Sequence, residues 1–153
     1  MLTEHERAVG LLHGAVAQGV GRATDLGIVE FLSSTGDEIC IHIQCPFRFL
    51  HESKIILGSD DLSYPGKRPA EGDEDPSKNT MFDTRAIAMT GFLGRFRPTV
   101  TSATVADGGF FSVAMSNSFQ LQIFPDSSSG KVEMWRVFTR GSDEHFGFPP
   151  NLV

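Results

Sequence analysis

The sequence is poor in several features that would identify a class of protein. Only two of its 153 residues are cysteines, Cys40 and Cys45, too few for the disulfide framework of a small secreted protein. No apolar run reaches the roughly 18 residues of a membrane-spanning helix. The first residues also lack the basic segment and apolar core of a signal peptide. We therefore expect a cytoplasmic protein with no membrane partner.

Basic residues are also scarce. The chain has 13 Lys and Arg against 19 Asp and Glu, and a formal net charge of −6. Because phosphate binding needs clustered Lys and Arg, this balance argues against a nucleic-acid partner. The sequence contains no nucleophile elbow, no zinc-protease helix motif and no phosphate-binding glycine loop. It therefore predicts a non-enzymatic protein, and no cofactor is expected.

Residues 36–50 carry the clearest pattern. Isoleucines alternate with other residues from Ile39 to Ile43, as in a strand with one buried face. After a break that contains Pro46, Phe47 and Phe49 resume the alternation, which predicts a hairpin. A similar pattern starts seventy-two positions later, where Gly108 matches Gly36. A fixed offset of this kind indicates two copies of one β unit.

Helices are predicted before each copy. Thr3 and Glu6 have the spacing of a capping box, and a helical stripe extends to about residue 13. Asp83 is predicted to cap a second helix that stops at Gly91. Further strands are expected at 15–24, 27–33, 54–57, 92–96, 100–106, 110–116, 119–124 and 132–139, with an extended tail from 141 to 153.

An acidic, proline-rich stretch separates the two copies. We divide the chain into a first helix-plus-β unit (1–58), a connector (59–80) and a second helix-plus-β unit with its tail (81–153), packed as one compact domain. The predicted fold class is α+β and mainly antiparallel β, with two similar β units each preceded by a short helix. Thirteen phenylalanines predict a Phe-rich core.

The two cysteines are candidate metal ligands. Their odd separation places them on opposite faces of a continuous strand, which does not suit a shared metal. His42 shares the face of Cys40 and is the one obvious third ligand, but a zinc site would need more. Ordinary sheet residues are the favoured interpretation, and no metal is expected.

His145 lies next to acidic residues, including Asp143, in a polar turn. A histidine beside a carboxylate is the raw material of general base catalysis. Adjacent residues in a turn seldom point at one another, however, and no nucleophile motif accompanies them. His145, Asp143 and His42 therefore remain candidates for binding a ligand or partner. His5 and His13, on the first helix, are expected to face solvent.

Trp135, the single tryptophan, either fills the core or anchors a partner in a surface groove. Uncharged side chains are expected on the outward face of two strands of the second unit: Ser112, Ala114, Gln120 and Gln122. Neutral faces and open edges are where β proteins pair, which leaves a homodimer open.

The second half resembles a small bacterial family of unknown function. The resemblance rests on residues 106–113, 119–124 and 133–138, which carry an Asp-Gly hairpin and a closing Glu-x-Trp. The Leu-x-Gly start of that family is replaced by Met-Thr-Gly at 89–91, and Phe111 stands where leucine is usual. The first half matches it only through the Leu-His-Gly sequence at 12–14 and the predicted hairpin.

Such proteins also look like small immunity proteins of bacterial toxin systems. In those proteins a Trp-containing strand is often followed by a segment with aspartate and histidine, as in residues 143–146. The resemblance implies no activity and no catalytic residue. Our leading hypothesis is a non-enzymatic bacterial interaction protein, with an immunity-like role as its specific form. The alternatives are a small-ligand-binding or sensing module with a pocket between the two β units near Trp135, and an enzyme using His145 or His42.

Overall fold

The computed structural model describes residues 1–66 and 79–150. Two helices and ten strands follow one another along the chain, with short 3-10 turns at Ser59–Ser63 and Asp107–Gly109. The elements are α1 (Glu4–Leu12), β1 (Val16–Ala23), β2 (Leu26–Leu32), β3 (Glu38–Ile43), β4 (Phe47–His51), β5 (Lys54–Gly58), α2 (Met81–Phe96), β6 (Val100–Val105), β7 (Phe111–Met115), β8 (Phe119–Ile123), β9 (Trp135–Thr139) and β10 (His145–Phe148).

The strands form two antiparallel sheets of five strands each. Sheet A has the order β1-β2-β3-β9-β10, and sheet B has the order β6-β7-β8-β4-β5. The two sheets have equivalent orders: each strand of sheet A corresponds to the strand of sheet B that is five places away in chain order, so that β1 corresponds to β6 and β9 to β4. The chain is therefore α+β and mainly antiparallel, with two similar β units, as the sequence predicts.

Each unit contributes strands to both sheets. The first three strands of a unit stay in one sheet, and its last two cross to the sheet of the other unit. The hairpin predicted for residues 36–50 is therefore wrong, because β3 pairs with β2 and β9 whereas β4 pairs with β5 and β8. Alternation reports that a strand has a buried face, but it does not report which strand lies beside it.

The offset of the repeat is wrong for the same reason. Matching Gly36 with Gly108 equates β3 with β7, yet β3 is the central strand of sheet A and β7 lies next to the edge of sheet B. The central strand of sheet B is β8, which is the topological counterpart of β3. Two units exist, but the offset of seventy-two residues matches β3 with β7 instead of β8.

One helix lies along each of the two open sides of this pair of sheets. Helix α2 packs on β1 and β5, which are the edge strands of sheets A and B on one side. Helix α1 packs on β10 and β6, the edge strands on the other side. One hydrophobic core draws residues from both sheets and both helices, and six phenylalanines are buried in it: Phe31, Phe47, Phe49, Phe82, Phe111 and Phe119.

Helix α1 begins as predicted, since the Thr3 hydroxyl accepts the backbone N–H of Glu6 at 3.1 Å. Helix α2 differs from its prediction at both ends. Thr80 is its N-cap and Asp83 the third helical residue of a capping box. The helix passes through Gly91 and continues to Phe96, so the strand predicted at 92–96 is wrong. A glycine inside a helix costs about 1 kcal/mol, and the burial of Leu93 in the next turn outweighs it.

The tail is more regular than predicted. Its residues 145–148 form β10, which pairs with β9 at the edge of sheet A. The connector is only partly described. Its first residues form the 3-10 turn Ser59–Ser63, and the N–H of Gly66 donates to the Asn79 carbonyl at 3.0 Å. The acidic run predicted within the connector lies outside the described residues.

Candidate functional site

Trp135 is a core residue. Its side chain is fully buried between the sheets, where its ring centroid lies 4.6 Å from that of Phe111 of sheet B. The indole Nε1–H donates to the Gly109 carbonyl at 2.9 Å. The structure therefore favours the core interpretation, and a partner has no direct access to this side chain.

The prediction that His5 faces solvent is wrong. Its ring centroid lies 5.5 Å from that of Trp135, and its Nε2 is buried with no hydrogen-bond partner among the described residues. The reason lies in tertiary packing, because α1 lies over β9 and β10 and presents His5 to the aromatic core. His13, just after the helix, is exposed as expected.

His42 and His145 are brought together on the outer face of sheet A. Strand β9 lies between β3 and β10, so its Phe138 separates the two imidazoles. The Phe138 ring lies edge-on to His42, at 4.8 Å between centroids, and stacks on His145 at 4.6 Å. We call His42, Arg136, Phe138 and His145 the histidine face.

Arg136 organises the hydrogen bonds of this face. Its Nη1 donates to His145 Nδ1 at 2.9 Å, and its Nε donates to Glu133 Oε1 at 2.7 Å. A guanidinium can only donate, so in this contact His145 Nδ1 is the acceptor and the ring donates through Nε2. That Nε2 lies 3.3 Å from the Ser142 carbonyl, which accepts it. Both ring nitrogens of His145 are therefore engaged.

His42 and Asp143 have surroundings that differ from those of His145. Burial, together with the charge of Arg136, lowers the pKa of His42 and so favours its neutral form. Asp143 is exposed in the turn before β10, and no contact between Asp143 and His145 is present in the described part of the chain. The histidine face thus consists of side chains that are hydrogen-bonded or stacked within the sheet itself.

The two cysteines are buried in separate places. Cys40 lies on β3, where Arg140 Nη2 approaches its Sγ at 3.5 Å, and Cys45 lies in the crossing between the sheets. Burial raises the pKa of both thiols, to about 12 for Cys45. Across residues 1–66 and 79–150, no group of three or more His, Cys, Asp or Glu is arranged to hold a metal ion.

A surface groove lies between α2 and β5. It has a volume of about 370 Å³, and its walls are mainly apolar. Ile55 is 60% exposed and Phe92 is 44% exposed, although both are large hydrophobic residues. We define the α2–β5 groove by three residues from each wall: Ile55, Ile56 and Leu57 of β5, and Arg85, Ala88 and Phe92 of α2.

Sequence reasoning missed this groove because it ended the second helix at Gly91 and placed Phe92 in a strand. Two signals were present. Arg85, Ala88 and Phe92 have the spacing i, i+3, i+7, which places them along one flank of a helix. Residues 55–57 form a consecutive apolar run in a short strand, where a strand with one buried face would alternate.

The outer face of sheet B is uncharged over β7 and β8, as predicted from Ser112, Ala114, Gln120 and Gln122, all of which are half-buried. The amide of Gln120 donates to the Ser112 hydroxyl at 3.0 Å. Arg48 Nε donates to the Gln122 side-chain oxygen at 2.7 Å. As on the histidine face, polar side chains of this surface are hydrogen-bonded to one another.

Comparisons of the chain with protein-family models, with curated proteins and with solved structures find no match. Among the described residues, neither helix has the length and apolar character needed to cross a bilayer.

Proposed function

We propose that this chain is a non-enzymatic interaction protein that binds a protein partner in the α2–β5 groove. The observation that carries the proposal is the joint exposure of Ile55 and Phe92 on opposite walls of one concavity. Large apolar side chains that remain exposed together are typical of interaction surfaces. Burying both side chains against a partner would remove apolar surface from water. This burial contributes about 25 cal/mol of favourable binding free energy per Å².

The other surfaces support this choice by contrast. The histidine face and the outer face of sheet B use their polar groups in contacts within the sheet. Arg85, on the α2 wall of the groove, makes no ion pair with the described part of the chain. The groove therefore offers both apolar area and a charge that a partner can satisfy.

A small-ligand pocket beside Trp135 is the weaker proposal. The indole is fully buried and already has a hydrogen-bond partner, so a ligand there would have to displace core side chains. Displacement of that kind costs several kcal/mol. The groove is open to solvent, and side chains of a protein partner can enter it without such rearrangement.

Within this proposal, the partner we favour is a basic toxin domain, which would make the chain a bacterial immunity protein. The net charge of −6 supports it, because an acidic protein attracts a basic partner and accelerates their encounter. The buried free thiols of Cys40 and Cys45 support a reducing compartment, in keeping with a cytoplasmic location. Self-association through the same groove is the other form that the proposal takes.

A matched pair of variants tests the proposal. Phe92→Asp places a charge in the groove, whereas Ile87→Asp places one on the same helix at a residue that is 76% exposed and does not line the groove. The wild type and both variants are immobilised, incubated with an extract of the source organism, and the retained proteins are quantified by mass spectrometry. Thermal unfolding of each variant confirms that it is folded.

We expect one partner to be retained by the wild type and by Ile87→Asp, and to be reduced at least tenfold with Phe92→Asp. A loss of that size corresponds to a binding hot spot of more than about 1.4 kcal/mol. If every retained protein binds Phe92→Asp as strongly as the wild type, the groove is not the interaction site. Light scattering of the three proteins tests self-association: if a second copy occupies the groove, the wild type and Ile87→Asp are dimers and Phe92→Asp is a monomer.

A further inference from the structure

Among the strands that the structure describes, β5 lies at the edge of sheet B and pairs with β4 alone. Three consecutive residues of β5, Ile55, Ile56 and Leu57, line the α2–β5 groove. The alternation of side chains is interrupted here by a bulge, since Phe49 pairs with Leu57 and Leu50 with Ile55, which leaves Ile56 as the extra residue of β5. Because β5 lies at the edge of sheet B, the groove that these three residues line runs along that edge.

An edge strand presents backbone N–H and C=O groups in the plane of its sheet, and these can pair with another strand. In the groove this edge runs beside an apolar helix flank formed by Ala88, Met89 and Phe92. An edge strand facing a helix across an apolar groove is the arrangement in which peptides are bound by strand addition. The backbone hydrogen bonds then provide affinity, and alternate side chains provide specificity.

We propose that the α2–β5 groove binds an extended peptide segment of the partner, which adds to sheet B as a further strand beside β5. This inference rests on the proposed function, since it specifies what occupies the same groove. A volume of about 370 Å³ suits a few side chains of a peptide and not a folded element. Alternate residues of the segment are apolar, and they pack against the helix flank.

The charges of the groove specify the segment further. Arg85 and Asp61 both line the groove, but the Asp61 carboxylate already accepts the backbone N–H of Gly58 at 2.9 Å, where it caps the turn after β5. Arg85 has no ion pair in the described part of the chain. Charge complementarity therefore calls for one Asp or Glu in the segment, placed beside Arg85.

The probe is a phage-displayed library of random 12-residue peptides. It is selected on the full-length wild-type protein, with counter-selection on Phe92→Asp, and the selection is repeated against Ile55→Glu in case the first variant folds poorly. Ile55 is 60% exposed, so a charge there is tolerated by the fold. We expect enriched peptides in which apolar residues alternate and one acidic residue recurs at a fixed position.

Synthetic versions of the enriched peptides then test the strand geometry. Methylation of single backbone amides removes one N–H at a time, and in an added antiparallel strand only alternate N–H groups face the neighbouring strand. We expect methylation at every second position to reduce affinity at least tenfold, and methylation at the positions between them to change affinity little. Arg85→Ala should weaken binding of the acidic peptides about fivefold, whereas Arg95→Ala, an exposed arginine of α2 outside the groove, should not.

Three outcomes would overturn the inference of strand addition, and each can be distinguished from a failure of the proposed function. Failure to enrich any peptide overturns strand addition, but a partner that is lost with Phe92→Asp still supports protein binding in the groove. Sensitivity to methylation at consecutive positions, or at every third or fourth, indicates a different peptide conformation. A wild-type dimer that becomes monomeric with Phe92→Asp shows that a second copy of the chain occupies the groove instead.

Discussion

The ion pair between Arg22 of β1 and Asp83 of α2 fixes the helix that forms one wall of the groove. Arg22 Nε donates to Asp83 Oδ1 at 2.8 Å, and Nη2 donates to Oδ2 at 2.8 Å, so the guanidinium holds both carboxylate oxygens. Oδ2 also accepts the backbone N–H of Thr80 at 2.9 Å in the capping box. Asp83→Asn keeps the shape of the side chain and removes its charge.

The magnitude follows from the pKa of Asp83. The hydrogen bonds from Arg22, followed by those from Thr80, lower the pKa from its ordinary value of 3.8 to about 2, against an opposing effect of burial. One pKa unit corresponds to about 1.4 kcal/mol. The side chains of Arg22 and Asp83 are 16% and 26% exposed, so solvent screens the pair only in part. We expect the charge of Asp83 to stabilise the fold by about 2 kcal/mol.

The sign of the pH dependence is fixed by the direction of the shift. The pKa of Asp83 is lower in the folded state than in the unfolded state, so the stabilisation is complete above about pH 5 and is lost as the pH falls through about 2. Below that pH a protonated carboxyl group resembles the amide of asparagine. The difference in unfolding free energy between wild type and variant should therefore shrink from about 2 kcal/mol at pH 7 to about 0.4 kcal/mol at pH 2.

Urea unfolding of the wild type and Asp83→Asn at pH 7, 4 and 2 measures this difference. At pH 7 the variant should also melt about 4–8 °C lower, as expected for a chain of this size. Asp143→Asn, at an exposed turn residue, is the control and should change stability by less than about 0.5 kcal/mol. A difference for Asp83→Asn that stays constant from pH 7 to pH 2 would refute the reasoning, because it would not arise from the carboxylate charge.

Two further predictions concern a buried turn and a buried thiol. Gly109→Ala should destabilise by about 3 kcal/mol in thermal unfolding, because its φ is +81° and a Cβ there would lie 2.5 Å from the Phe148 ring. The control Gly108→Ala, with φ +76° but open space around it, should cost about 1 kcal/mol, and equal losses would contradict this. Burial raises the pKa of the Cys45 thiol to about 12, so very little reactive thiolate is present at pH 8. We therefore expect Cys45 to resist iodoacetamide at pH 8 until urea unfolds the protein. Rapid labelling of Cys45 in the native protein would disprove this.

The candidate site shows how far residue patterns reach. His42 and His145 were selected separately, each for the acid or thiol near it in sequence, and the structure places both beside Phe138. That proximity depends on the pairing of β9 with β3 and β10, which are far apart along the chain. Asp143 was selected as the neighbour of His145, but adjacent residues leave a turn in different directions, and the two side chains do not meet.

The α2–β5 groove illustrates a different limit. Gly91 predicted the end of the helix because its propensity cost is local and visible in sequence. The burial that overrides this cost comes from Met89 and Leu93 against the sheets, and it is visible only in the packed structure. With the helix cut short, Phe92 was not assigned to a helix flank, and the groove could not be inferred.

The sequence by itself determined the strands with one buried face, the capped start of α1, the Phe-rich core and the presence of two β units. All of these depend on the period of apolar residues or on contacts between residues close in the chain. Tertiary structure alone decided that each unit sends its last two strands into the sheet of the other, and that α2 faces β5 across a groove. The physical reason is that apolar side chains along a strand specify that a face is buried, whereas the partner strand is chosen by the packing of the whole chain.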